Sequence, residues 1–145
     1  MSDVAGFLVL IGRVLFVIFP AIISGYGFHL KNAKMAEGYA QSVGFPAPAV
    51  AGIVSGIYLI VASISIAAGI FPDLGALMLA VFVAIAAFQF HAYWKVEDAD
   101  QKQVQTAFFW RNVMIFASCL IMIGFFASIG DALPYSVTGS LIDLD

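Results

Sequence analysis

Arg13, His29, Gln89, His91, Arg111 and Asn112 are the side chains best suited to recognising a ligand head or moving a proton, and all stand inside or at the ends of long apolar runs. An arginine near the middle of an apolar membrane helix costs about 2.5–3.5 kcal/mol unless it is paired or hydrated. Arg13 lies nine residues past Val4, which in a helix puts its Cα roughly 13 Å along the axis. Counting back from Pro72, Ser63 reaches the same depth in the next apolar run. No carboxylate lies within the four apolar runs, so the partners of Arg13 are expected among hydroxyls, carbonyls, water, Asp131 or a bound head group. Two roles fit it equally: tying helices together through carbonyls, or holding a ligand or lipid head.

A second polar group is assembled by topology. His29 ends the first run, Gln89, His91 and Trp94 end the third, and Arg111 and Asn112 open the fourth, so all six share one headgroup level. Such a rim can frame the head of a quinone or a lipid. The same residue types also serve as ordinary interfacial anchors. Gln89 differs because it lies inside its run and needs a partner. Ser63, Ser65 and Ser118 read as helix-bonded hydroxyls and Cys119 as a buried, inert thiol. A phosphate loop, a metal motif, a heme attachment signal and a catalytic triad are all missing. No catalytic residue is assigned, no metal is expected, and quinone is the one cofactor the pattern suggests.

The elements that must position these residues follow from composition. The chain has 145 residues, 63% apolar and 10% charged, where soluble domains carry about 25% charged residues. A soluble domain of this size would expose wide apolar patches, and lipid removes that problem. Crossing a bilayer takes about 20 apolar residues in a helix, and the segments 4–28, 47–71, 74–94 and 112–130 meet that length. Asp3 where a leader would be basic, and the length of the first run, argue for a retained helix over a signal peptide. Met35, Tyr39 and Val43 share one face of a short helix expected over 32–43, lying on the membrane surface. Asp98 and Gln101 have capping-box form, so the last helix is expected to start near Ala99. The expected architecture is all-α: one domain over 1–145, a four-transmembrane-helix bundle with a short interfacial helix between helices 1 and 2, and a C-terminal tail over 131–145.

Gly52 and Gly56 form a GxxxG pattern, and Ser65 and Gly69 continue the small-residue spacing, so the second span is expected to pack closely on a neighbour. That neighbour belongs either to this chain or to another protomer. Lys31, Lys34, Lys95, Lys102 and Arg111 all fall on the side opposite the termini, which places both termini outside. The net charge of −3 offers no basic field for nucleic acid.

Several runs together resemble the DoxX family of small bacterial membrane proteins. They are Ser24-Gly25-Tyr26-Gly27-Phe28-His29-Leu30, Gly44-Phe45-Pro46-Ala47-Pro48, Gly69-Ile70-Phe71-Pro72, Phe90-His91-Ala92-Tyr93-Trp94-Lys95 and Phe109-Trp110-Arg111-Asn112. The sequence departs from many members by carrying Ser55, Gly56 and Tyr58 where a glutamate stands in the second helix. The resemblance implies a bacterial inner-membrane location and an accessory role in a membrane redox or oxidative-stress system. Lipid, a quinone, and partner membrane or redox proteins are the implied partners, in a homo-oligomer or complex. A non-catalytic scaffold, assembly or cargo-binding role is the alternative, and in neither case is the chain expected to be an enzyme by itself.

Overall fold

Helix formation begins at Ser2, whose hydroxyl accepts from the Ala5 amide at 3.3 Å and caps α1, Asp3–Ile18. At Pro20 the chain loses an amide donor, and the helix continues as a π-helix, Phe19–Leu30. The wider ladder, seen where the Lys31 amide donates to Tyr26 at 2.8 Å, keeps the helix running past the proline ring. It also shifts the helical phase, so that Gly25 and His29 turn inward.

A short helix, α2, covers Ala33–Ser42. The run 47–71, expected as one helix, is divided. A 3₁₀ turn, Pro48–Ala51, leads through Gly52 into α3, Ile53–Ala68. Gly52 has ψ −116°, which no helix continues through, so α3 is only 16 residues long. It stops at Gly69, in the left-handed region at φ 66°. Pro72 opens α4, Pro72–Ile85, which ends in a π-turn, Ala86–Phe90. Asp98 accepts from the Gln101 amide at 2.9 Å and caps α5, Ala99–Ile129.

The structure is a computed structural model and describes residues 1–142, so positions 143–145 of the expected tail lie outside the described residues. Helices are the regular elements among the described residues, with no strand. Three stretches, Asp3–Leu30, Pro72–Lys95 and Ala99–Ala132, are long and apolar enough to cross a membrane, and Ile53–Ala68 is apolar but shorter. Leu59, Ile66, Leu79, Val83 and Cys119 form the core between α1, α3, α4 and α5. The outward faces are equally apolar: Leu8, Leu15, Ile57, Ile64, Met114 and Ile121 are exposed. Burying these against lipid is what such a surface requires.

The glycines of α3 find their neighbours within this chain. A Cβ on Gly56 would fall 2.7 Å from Leu30 Cδ2 and 2.9 Å from the Gly25 carbonyl, so the two backbones cross glycine to glycine. A Cβ on Gly52 would meet Glu37 and Ala33 of α2. The packed helix pairs run from the first helix to α3, α3 to α4, and α4 to α5. The first and last helices form no comparable interface among the described residues, leaving a seam between them.

At the opposite end from α2, the segment after α5 folds back over the α3–α4 turn. Val137 and Thr138 amides donate to the Gly69 carbonyl at 3.1 and 3.0 Å, and the Phe71 amide donates to the Thr138 hydroxyl at 2.8 Å. The buried Asp73 carboxylate accepts from the Leu141 and Ile142 amides.

Candidate ligand cavity

Between the helices, toward the α2 end, lies a cavity of about 750 Å³. Its walls are mainly apolar and aromatic, from Phe19, Leu59, Phe82, Phe90 and Phe108 among others. Ile23, Val54, Val81 and Ile85 line it and are also exposed on the outer faces, so it opens sideways through the helix wall. Arg111 is the one residue bearing a formal charge in the lining, and no carboxylate faces it there.

The polar lining is held in a fixed arrangement. The Tyr39 hydroxyl, from α2, donates to the Phe90 carbonyl at 2.6 Å, so its oxygen is left to accept. It accepts from the Gln105 amide nitrogen at 3.5 Å, which turns the Gln105 carbonyl toward His91 Nδ1 at 2.8 Å. Nδ1 of His91 must therefore carry the proton, leaving Nε2 as the acceptor. His29 is set the same way: Nδ1 meets the Ala51 carbonyl, which can only accept. Both imidazoles thus keep Nε2 lone pairs uncommitted by these bonds. Burial pushes the Tyr39 phenol above its usual range, against a smaller lowering by Gln105, which keeps it a neutral donor.

Arg111 packs against two rings, with its guanidinium carbon 4.7 Å from the Phe19 centroid and 4.7 Å from that of Phe108. Phe19 belongs to the first helix and Phe108 to α5, so the cation bridges the seam. Its Nε is buried and makes no hydrogen bond. The adjoining Asn112 is 4% exposed, and its Nδ2 is likewise buried without a partner. The cavity is therefore lined by one cation with polar neighbours at one end and hydrocarbon elsewhere, the usual make-up of a small-molecule site.

Of the rim residues read from the sequence, His29, His91, Arg111 and Asn112 come together on this cavity. Gln89 and Trp94 do not. Gln89 donates to the Val43 carbonyl at 3.2 Å, and Trp94 packs against Phe88, Tyr93 and Phe109. Arg13 and Ser63 lie away from it. Arg13, 3% exposed, donates to the Tyr135 carbonyl at 2.7 Å and to Pro134 at 3.3 Å. Ser63 is buried, and its hydroxyl makes no hydrogen bond. Ser65 donates to the Ile70 and Phe71 carbonyls and fixes the α3–α4 turn. A Cβ on Gly69 would strike Arg13 and Ser136.

Sequence reasoning missed Gln105 and Tyr39 as site residues. The signal for Tyr39 was present in its place on one face of α2. Among the described residues, no three His, Cys, Asp or Glu side chains converge as a metal set would need.

A family model described as DoxX matches residues 8–92, from the first helix to just past His91. No curated protein and no solved structure matches the chain.

Proposed function

The chain belongs to the DoxX family, and on that premise we propose that it is a four-span protein of the bacterial inner membrane that holds a quinone or lipid head in its cavity. In this reading α3 is the short fourth span, α2 lies at the inner interface and both termini are outside. Its role is that of an accessory subunit in a membrane redox or oxidative-stress system. A quinone, when bound, supplies two-electron redox chemistry between partner proteins. This chain's own residues bind and orient the head.

One observation carries the reading: a cavity of about 750 Å³ with apolar walls, open sideways, and with the guanidinium-bearing Arg111 as the one formal charge in its lining. A quinone carbonyl can accept from the Arg111 guanidinium in that lining. The Nε2 atoms of His29 and His91 can accept from a reduced, hydroxyl-bearing head. The scaffold alternative rests on a glycine-rich helix free to receive a partner. Leu30, Gly25 and Ala33 of the same chain already cover Gly56 and Gly52, which weighs against docking there.

The test is extraction of small molecules from protein purified in mild detergent, wild type against Val54→Trp. Val54 sits at the exposed mouth, so the indole fills the opening without entering the core. A quinone or lipid retained near stoichiometry by the wild type and lost from the variant supports the reading. Equal retention by both places the molecule elsewhere.

A further inference from the structure

We infer that the head group this cavity selects is anionic, with a single-chain amphiphile ending in a carboxylate as its best ligand. The inference rests on the cavity's being the binding site proposed above, and adds the charge of what it takes.

Three features point to that charge. The first is the lone cation: Arg111 is the one formal charge in the lining, and it has no carboxylate partner among the described residues. A cation held in an apolar bundle is costly unless a counter-charge or water meets it. The second is the direction left open to it. Phe19 and Phe108 each hold a ring centroid 4.7 Å from the guanidinium carbon, and Nε is the one guanidinium nitrogen that is buried without a partner, which leaves the Nη edge as the side a ligand can reach. Edge-on approach to a guanidinium is the geometry of a planar two-oxygen acid, which can take two parallel N–H bonds. The third is Asn112, the next residue, which also lines the cavity and sets a neutral amide beside the cation. A carboxylate has lone pairs for both side chains, whereas an alcohol or ester head returns no charge to Arg111.

The rest of the lining agrees with one chain behind the head. The apolar wall continues to Ile23 and Val54, both exposed on the outer face, so an alkyl chain seated at Arg111 can lead out into lipid. The tautomers fixed by Ala51 and Gln105 keep the two Nδ1 protons of His29 and His91 away from the head. Arg111 is then the dominant source of charge selection.

The experiment uses the full chain in nanodiscs of zwitterionic lipid and follows binding of radiolabelled palmitate. Unlabelled palmitate, its methyl ester and a short-tailed benzoquinone serve as competitors. Palmitate is expected to bind saturably and to outcompete its methyl ester by about tenfold or more, because only the acid forms the charge-assisted pair. Arg111→Leu should abolish that preference and Arg111→Lys restore it in part. Methyl ester competing as well as palmitate on the wild type overturns the inference without recourse to any variant, which covers the case that Arg111→Leu fails to fold. Displacement by the benzoquinone with no acid preference would leave the quinone reading standing and remove this one. If palmitate does not bind saturably, this inference falls, and the extraction test above decides the quinone reading separately.

Discussion

The guanidinium of Arg13 donates to the backbone carbonyl of Tyr135 at 2.7 Å, across 122 residues of sequence. The charge in the first helix is met by the segment that follows the last one, not by another helix. Arg13→Leu should therefore release that segment while leaving the bundle folded. Charged hydrogen bonds are worth about 1.5–3 kcal/mol, but the leucine also removes a buried charge, so the melting shift is expected to be small. Limited proteolysis should trim residues beyond Leu133 severalfold faster in the variant, with ligand retention unchanged. Unaltered trimming would show that Arg13 does not hold the segment.

Gly56 faces Leu30 and the Gly25 carbonyl with no room for a Cβ. Gly56→Leu should force the first helix and α3 apart, at a cost of about 1–3 kcal/mol or more. Thermal melting in detergent reads this as a lower midpoint. A midpoint equal to wild type would remove the close-crossing claim.

Tyr39 ties α2 to the end of α4 through the Phe90 carbonyl. Its phenol is raised by burial, so the unfolded chain ionises first as pH rises through about 10. The stability contribution is present below that point and is lost as pH climbs toward the folded-state value. Wild type should lose melting temperature between neutral and strongly alkaline pH more steeply than Tyr39→Phe. Parallel slopes would mean the phenol is not buried as described.

All the lysines lie on the side away from the termini, which under the proposed topology puts Ser2 outside. Asp143, another natural labelling position, lies outside the described residues. Ser2→Cys in a Cys119→Ser background should react with an impermeant thiol reagent in whole cells. Reaction only after the membrane is broken would invert the orientation.

The sequence made the apolar helices, the Asp98 cap and the placing of His29, His91, Arg111 and Asn112 at one end legible, because hydropathy and turn residues report directly on chain direction. The partner of Arg13 was not legible. Carbonyls stood among its expected partners, but depth counting named Ser63, and nothing in residue type marks the backbone carbonyls of Pro134 and Tyr135 as the ones that meet it. Gln89 and Trp94 were grouped with the rim by level alone. After the π-turn at Ala86–Phe90, Gln89 meets the Val43 carbonyl and Trp94 packs on Phe88 and Phe109 instead of lining the cavity, and hydropathy cannot detect a one-residue change of phase. Gln105 was missed because α5 extends well before its apolar run, so a polar residue outside the expected span still reaches the cavity.

The central claim is that the cavity beside Arg111 is the binding site for a membrane amphiphile. Photolabelling tests it most directly: a fatty acid or short-tailed quinone carrying a diazirine is irradiated with the protein in nanodiscs, and the adducts are located by peptide mass spectrometry. The account predicts adducts on cavity residues such as Phe19, Tyr58, Phe82 and Phe108, suppressed by unlabelled competitor and by Val54→Trp. Adducts confined to outward-facing residues such as Leu15, Ile57 and Ile121, insensitive to competitor, would contradict it.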